Sequence, residues 1–169
     1  MRKYYRFLIT LCLLGTMFLF SCRSKVLTTE DFDKAPDLVI VCNGKKTPAL
    51  QATYSWTSGS RGAEADSDFP ARLTALMTPI EIEKPVDVQL DFELKPDKIE
   101  VRYWDEAVLT PAVLQNAKQL YNRAQELEVS GSIIRLPDIK NCVYEVYAVW
   151  QGERGTGGSS WYGFCTTGK

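Results

Sequence analysis

The sequence predicts a mainly β domain, an antiparallel β-sandwich of about seven strands with one inserted helix near residues 111–128. Three observations support this fold class. Apolar and polar residues alternate strictly over Val86–Leu94, turn-forming residues separate several such runs, and only the stretch after Thr110 has apolar residues at helical spacing. Alternation places one face of a strand in a core and the other in water, as expected where two sheets pack face to face.

The domain begins with a predicted hairpin. Leu38–Cys42 forms its first strand, and Asn43-Gly44 tolerates the positive φ angles of a type I′ turn. The return strand is predicted at Leu50–Trp56, followed by a polar, glycine-containing loop over residues 57–70. Four residues of the return strand share one face: Leu50, Ala52, Tyr54 and Trp56.

The middle of the chain contains the clearest strand, Val86–Leu94, and a turn at Pro96 leads into a second strand that begins at Ile99. The inserted helix is predicted over Pro111–Glu128. Thr110 can cap it and proline suits the first helical position. A short strand over residues 132–136 then precedes Pro137.

The last two strands are predicted at Cys142–Trp150 and Ser160–Thr166. The first is apolar on both faces, which favours a central position in a sheet. Between them lies the glycine-rich segment Gly152–Gly158. No Gly-Lys-Ser/Thr sequence follows it, so a hairpin loop is favoured over a phosphate-binding loop.

About seven strands in one domain are expected of an immunoglobulin-like sandwich. Ile134–Pro137 followed by Val143–Trp150 resembles the paired late strands of bacterial Ig-like and fibronectin-type modules. The resemblance implies that Tyr144, the first tyrosine of a Tyr-x-Val-x-Ala run, packs at a corner of the sandwich. Tyr54-Ser55-Trp56 and Trp161–Phe164 also resemble uncharacterised extracytoplasmic domains of Gram-positive lipoproteins, a likeness that implies no activity.

The N-terminus predicts export. Three basic residues precede Phe7–Phe20, an uncharged apolar run shorter than the ~20 residues of a membrane-spanning helix. Leu19-Phe20-Ser21-Cys22 resembles the lipobox of bacterial lipoproteins. The resemblance implies a signal peptide over residues 1–21 and a lipid on the Cys22 thiol, which would hold the protein at the extracytoplasmic face of the cell membrane. The alternative is an uncleaved N-terminal membrane helix.

Removal of the signal peptide changes the charge balance. Residues 1–21 contain three of the 20 basic residues and none of the 21 acidic residues, which leaves 17 against 21, a formal charge of −4. Because nucleic-acid binding needs a concentrated basic surface, no nucleic-acid partner is expected. Residues 22–35 are predicted to form a polar tether, and residues 36–169 the Ig-like domain.

The sequence contains no histidine, which excludes Ser-His-Asp and Cys-His catalysis and histidine-rich zinc sites. Two groups of acidic residues are candidate cation sites: Asp87, Asp91 and Glu93, and Glu64, Asp66 and Asp68. The first belongs to a strand's solvent face. The second fails the EF-hand pattern, because Phe69 stands where glycine is required. We expect no catalytic residue, no metal and no cofactor apart from the lipid on Cys22.

The predicted mature domain retains three cysteines besides Cys22, namely Cys42, Cys142 and Cys165. An odd number leaves at least one thiol unpaired if a disulfide forms within the domain. If the first strand runs parallel to the last, as in many Ig-like domains, Cys42 and Cys165 can form a disulfide. Three buried free thiols are the alternative.

Four tryptophans are the strongest indication of a ligand. Trp56 and Trp150 lie on apolar faces, whereas Trp104 and Trp161, with Tyr162 beside it, are the candidates for exposure. Exposed aromatic rings can anchor a protein interface or stack on sugars. The leading hypothesis is a non-catalytic, membrane-anchored module that binds an envelope or surface protein. The alternative is a carbohydrate- or cell-wall-binding module that uses Trp104, Trp161 and Tyr162, and an enzyme is the third hypothesis.

Overall fold

The computed structural model describes residues 26–137 and 141–168. The predicted signal peptide, Cys22 and the first residues of the predicted tether lie outside the described residues. Within the described part of the chain, no helix is long and apolar enough to span a membrane.

Strands dominate the described residues, which confirms the mainly β prediction. The strands are β1 (Leu38–Cys42), β2 (Lys45–Pro48), β3 (Leu50–Ser58), β4 (Arg61–Ala65), β5 (Ile80–Ile82), β6 (Asp87–Phe92), β7 (Lys98–Asp105), β8 (Gln125–Leu127), β9 (Val129–Ser130), β10 (Ile133–Arg135), β11 (Cys142–Gln151) and β12 (Gly157–Gly168). The α-helices are α1 (Pro111–Leu114) and α2 (Ala117–Asn122). Short 3-10 turns form at Thr29–Asp31, Pro70–Arg72, Thr74–Leu76, Glu106–Val108 and Glu153–Gly155.

The strands form two antiparallel sheets that share one core, a β-sandwich-like arrangement. The five-stranded sheet has the order β2-β1-β6-β10-β9. The seven-stranded sheet has the order β4-β3-β12-β11-β7-β8, and β5 pairs in parallel with the end of β12. As predicted, β11 is a central strand, since it lies between β12 and β7.

The main core lies between the two sheets and draws buried residues from both. The five-stranded sheet contributes Leu38, Ile40, Val88, Leu90 and Ile134, and the seven-stranded sheet contributes Trp56, Val101, Tyr144, Val146, Trp150, Tyr162 and Phe164. Aromatic rings stack across the seven-stranded sheet. Tyr144 lies between Tyr103 and Phe164, at centroid distances of 5.9 and 4.4 Å. Tyr144, which the resemblance places at a corner of the sandwich, is the third residue of β11 and is fully buried in the main core.

The first hairpin has the predicted turn but a different return strand. Asn43 and Gly44 have φ angles of 49° and 78°, as a type I′ turn requires. A two-residue turn pairs Cys42 directly with Lys45, so β2 occupies the position beside β1. The prediction that residues 50–56 return beside the first strand is therefore wrong, because β3 pairs with β12 in the other sheet.

A bulge in β3 changes which side chains share a face. Gln51 pairs with Tyr162 and Tyr54 with Ser160, so three residue steps on β3 match two on β12. Trp56 faces the main core, whereas Leu50 packs on the opposite face of the sheet. The predicted common face from residue 50 to residue 56 is therefore wrong. The predicted loop over residues 57–70 also contains β4, which pairs with β3.

The predicted helix over residues 111–128 begins as expected but ends early. The Thr110 side chain accepts a hydrogen bond from the Val113 amide at 3.4 Å, and Pro111 takes the first position. Asn116 then caps a second helix by accepting from the Gln119 amide at 3.1 Å. Residues 125–127 form β8 instead of helix because pairing with β7 places Leu127 against the main core.

Part of the predicted tether is docked on the domain. The Trp56 indole nitrogen donates a hydrogen bond to the Phe32 carbonyl oxygen at 2.9 Å, and the two rings lie 6.5 Å apart. The hydroxyls of Thr29 and Thr156 are 2.6 Å apart. From Thr28 onward the segment therefore packs against the end of the sandwich at the β11–β12 loop.

Candidate binding surface

The outer face of the seven-stranded sheet is the one that points away from the main core. Part of it carries a second hydrophobic cluster, here called the outer cluster: Ala71, Met77, Trp104, Val113, Leu120 and Val143. The elements above these residues, here called the helical cover, are α1, α2 and the 3-10 turns at residues 70–72 and 74–76. Gly163 permits this close packing, because a Cβ atom there would lie 2.2 Å from the Met77 Cε and 2.8 Å from the Pro70 Cβ.

Beyond the helical cover, the outer face carries an aromatic pair, Tyr147 and Trp161. These residues are directly opposite each other on β11 and β12. Their ring centroids are 4.2 Å apart and the planes are inclined by 30°. Both side chains are partly exposed. A cross-strand pair of this kind is held by the sheet backbone and needs little ordering when a partner binds.

On one side of the aromatic pair the sheet carries a row of ion pairs. Glu100 is opposite Tyr147 and lies 2.7 Å from the Lys98 ammonium. Arg102 lies 3.9 Å from Glu100 and 3.8 Å from Glu126. The hydrogen bond from Lys98 lowers the pKa of Glu100 and raises that of Lys98. Two cations and two carboxylates balance here, so this surface suits a partner without strong net charge.

On the other side of the aromatic pair the outer face carries small hydroxyl side chains. Ser159 on β12 is opposite Ser55 on β3, and Thr57 lies two residues further along β3. Ser55 donates a hydrogen bond to Glu64 on β4 at 3.4 Å. The surface thus has an aromatic centre with polar groups on both flanks, which is the general plan of a protein-binding patch.

Of the three aromatic residues predicted to bind a ligand, only Trp161 is partly exposed. Trp104 is completely buried in the outer cluster, where its indole nitrogen donates to the Leu120 carbonyl oxygen at 2.8 Å. Its predicted exposure is therefore wrong, because the helical cover folds over it. Tyr162 is also fully buried, and its hydroxyl donates to the Pro36 carbonyl oxygen. It follows Trp161 directly in β12, so it faces the main core.

Tyr147 is the residue of the aromatic pair that sequence reasoning missed. The alternation along β11 contains the signal, since Tyr144 and Val146 share one face whereas Glu145 and Tyr147 share the other. Both faces of β11 are largely apolar, so the pattern alone favours burial on both. The exposure of Tyr147 arises because the helical cover ends before it.

Of the two alternatives for Cys42, Cys142 and Cys165, the structure does not form the possible disulfide between Cys42 and Cys165. Cys42 faces the main core from the five-stranded sheet, whereas Cys165 packs with the outer cluster. The seven-stranded sheet separates the two thiols, so they cannot meet. Burial raises the pKa of all three thiols, to about 11 for Cys142, which keeps them protonated at neutral pH.

The acidic residues of the two candidate cation sites lie on the surface, and several of them form ion pairs. Asp87 pairs with Arg135 at 2.8 Å and Asp91 with Lys46 at 3.2 Å. Over residues 26–137 and 141–168, no group of three cysteine or acidic side chains is arranged to hold a metal ion.

A cavity of about 430 Å³ lies where the docked N-terminal segment meets the sandwich. Its lining includes Thr29, Lys95, Asp97, Trp150 and Glu153. The Trp150 indole is itself buried and donates to the Leu94 carbonyl oxygen at 2.9 Å. The cavity therefore offers no exposed aromatic face, which makes it a weaker candidate than the Tyr147–Trp161 surface.

Comparison of the chain with protein-family models, curated proteins and solved structures finds no match. What the domain does must therefore be inferred from its own surface chemistry.

Proposed function

We propose that the protein is a lipid-anchored extracytoplasmic module with an Ig-like sandwich, and that it binds another envelope or surface protein. The observation that carries this proposal is the Tyr147–Trp161 pair, which is partly exposed on the part of the outer face that the helical cover leaves open. Large aromatic side chains supply much of the binding energy at protein interfaces, and a polar rim excludes water around them. Here the rim consists of the ion pairs around Glu100 and the hydroxyls around Ser159.

The docked N-terminal segment adds a constraint on the partner. If Cys22 carries the lipid, only residues 23–27 separate the anchor from the docked Thr28. Cys22 and Thr28 are six residue steps apart, which span at most about 22 Å, so the β11–β12 loop end of the sandwich would stay close to the membrane. Tyr147 lies four residues before Gln151 at that end of β11, a distance of roughly 13 Å. A partner bound to the aromatic pair would thus also lie near the membrane.

The anchor is tested in the full-length protein expressed in a bacterium that processes lipoproteins. We expect the wild type to enter the detergent phase of a phase-partition assay, with an acylated N-terminal peptide that begins at Cys22. Cys22→Ala should leave the protein unlipidated and move it from the detergent phase. An unmodified Cys22 in the wild type, within an intact N-terminus, would support the membrane-helix alternative instead.

The binding surface is tested by photo-crosslinking in intact cells. A photoreactive residue at Ser159 lies beside the aromatic pair, and one at Gln89 lies on the exposed face of the five-stranded sheet as a matched control. We expect one discrete protein adduct from position 159, none from position 89, and loss of the adduct when Trp161→Ala is added. Equal adducts from both positions, or none from either, would contradict the proposed surface.

Carbohydrate binding is the second candidate, and the hydroxyl row of Ser55, Thr57 and Ser159 favours it. Tyr147 covers one face of the Trp161 ring, so one face remains for stacking on a sugar. Retention of the protein on peptidoglycan or a glycan array, lost with Trp161→Ala, would support this function. A lack of retention would exclude it and leave the protein-binding proposal in place.

A further inference from the structure

Glu145 is a buried carboxylate at the boundary between the outer cluster and the aromatic pair. It lies on β11 opposite Arg102 of β7 and Gly163 of β12, and only 1% of its surface is exposed. Its Oε2 accepts a hydrogen bond from the Tyr121 hydroxyl at 3.2 Å. Among the described residues, Oε1 has no hydrogen-bond partner. A single hydrogen bond is poor compensation for a carboxylate removed from water.

The charged groups around Glu145 do not neutralise it. Arg102 already lies near Glu100 and Glu126, and its guanidinium rests over the Tyr121 ring at 5.6 Å. Arg72, in the 70–72 turn, pairs with Asp68 and lies over the Phe69 ring. β12 contributes only Gly163 at this position. Burial therefore outweighs the Tyr121 hydrogen bond and the charge of Arg102, and it raises the pKa of Glu145 to about 7.

The structure above Glu145 consists of short elements. Helix α1 has four residues and α2 has six, too short to be stable without packing. Tyr121 connects α2 to the sheet through Glu145, and its ring packs edge-on against Phe69 at 5.5 Å and Trp104 at 6.1 Å. Release of α2 would bring water to the carboxylate without breaking either sheet.

We propose that Glu145 is a protonation-controlled latch between the helical cover and the seven-stranded sheet. With the carboxyl group protonated, Tyr121 and α2 lie closed on β11. Loss of the proton leaves a buried charge with one hydrogen bond, and opening of α2 hydrates it. The open form exposes Trp104 and the outer cluster directly beside the Tyr147–Trp161 pair. The latch does not depend on the proposed function.

The direction and range of the pH effect follow from proton linkage. The ordinary pKa of glutamate is near 4.5, whereas burial raises the pKa of Glu145 in the closed form to about 7. The closed form is therefore most favoured below pH 4.5, and the opening equilibrium rises as pH increases toward 7, where it levels off. Each pH unit within this range changes the equilibrium up to tenfold, which gives a total increase on the order of a hundredfold.

Amide hydrogen exchange of the purified full-length chain, corrected for intrinsic exchange rates, tests the latch between pH 4.5 and 8. We expect the amides of Leu120 and Arg123, bonded within α2, to exchange faster than those of β11. The α2 opening equilibrium should rise at least tenfold from pH 4.5 to pH 7 and then stay constant. Glu145→Gln should remove most of this dependence. Equal exchange of α2 and β11 at every pH, or an unchanged profile in Glu145→Gln, would overturn the proposal.

If Glu145→Gln does not fold, the variant Tyr121→Phe tests the latch in the same exchange experiment. Tyr121→Phe removes the hydrogen bond that favours the ionised carboxylate, so the upper end of the pH profile should move to higher pH. Carbon NMR of the Glu145 carboxyl group in the wild type should show titration well above pH 4.5. A normal titration in the wild type, or a Tyr121→Phe profile at the wild-type position, would reject the latch.

Discussion

The main core and the outer cluster share the seven-stranded sheet, but different kinds of structure cover them. Over the main core lies a second sheet, in which β1 pairs with β6 along the whole length of β1. Over the outer cluster lie two short helices and two 3-10 turns, connected to the sheet through Trp104, Tyr121 and Gly163. Many backbone hydrogen bonds stabilise the second sheet, whereas a few side-chain contacts hold the helical cover on the seven-stranded sheet. The two faces should therefore respond differently to substitution.

The largest effect is expected in the main core. Phe164 is 1% exposed and stacks on Tyr144 with parallel rings 4.4 Å apart. Phe164→Ala should lower the free energy of unfolding by about 3–5 kcal/mol, because neither sheet can collapse into the cavity. Urea denaturation followed by circular dichroism measures this loss. A change below about 1 kcal/mol would show that the inter-sheet core is not the main source of stability.

A smaller, local effect is expected beneath the helical cover. Leu120 is fully buried, and its carbonyl oxygen accepts from the Trp104 indole at 2.8 Å. Leu120→Ala should cost about 2–3 kcal/mol, the low end for a buried leucine, because short helices can relax into the space. Hydrogen exchange should show lost protection in residues 113–122 and retained protection in β1 and β6. Uniform loss across both sheets would instead mean that the cover and core unfold as one unit.

The stability of the outer face is expected to depend on pH, because the buried carboxyl group of Glu145 lies there. The pKa of Glu145 is raised in the folded state, so its contribution to stability is complete below pH 4.5 and is lost as pH rises toward 7. The total loss is on the order of 3 kcal/mol. Denaturation midpoints at pH 4.5 and pH 7.5 should therefore differ less in Glu145→Gln than in the wild type. The same difference in both proteins would assign the pH effect to other groups.

Gly163 and Gly62 lie in the same sheet, and substituting each with alanine compares tight packing at the first with open space at the second. Gly163→Ala places a Cβ 2.2 Å from the Met77 side chain, so we expect a cost of about 1–3 kcal/mol through displacement of the cover. In Gly62→Ala the nearest atom, the Trp56 carbonyl oxygen, is 3.9 Å away. Its effect should stay within about 0.5 kcal/mol. Thermal denaturation of both variants is the measurement, and equal losses would contradict close packing at Gly163.

The smallest effect on stability is expected at the aromatic pair. Trp161 is partly exposed and contacts Tyr147 across the two strands. Trp161→Ala should cost about 1 kcal/mol or less, mainly from the lost ring contact. The same variant should abolish crosslinking from position 159. A loss of stability like that of Phe164→Ala would mean that Trp161 is a core residue and not a recognition residue.

The strands with strong local patterns were predictable. β6 lies within the predicted run over residues 86–94, and β11 extends the predicted strand over residues 142–150 by one residue. The start of the helix at Pro111 was also predictable, because capping involves residues only three apart. The ends of elements were less predictable. The helical pattern in the sequence continues to residue 128, but the structure forms β8 there because it pairs with β7.

The candidate site was only partly predictable, because contacts between distant segments decide which of its residues are buried. Trp161 and Tyr162 are adjacent, so the sequence requires them to face opposite sides of the sheet, but it does not say which side is covered. Trp104 has no local feature that distinguishes it from an exposed tryptophan. Its burial depends on Leu120, sixteen residues away in a separate helix.

By itself, the sequence determined the mainly β class, the Asn43-Gly44 turn, the central strand β11 and the alternation that divides its two faces. These features depend on backbone geometry over two to ten neighbouring residues. The tertiary structure decided which sheet β3 joined, that Cys42 and Cys165 lie on opposite sides of a sheet, and that Tyr147 with Trp161 remains exposed while Trp104 does not. Each depends on contacts between segments far apart in the chain, and local patterns carry no information about those contacts.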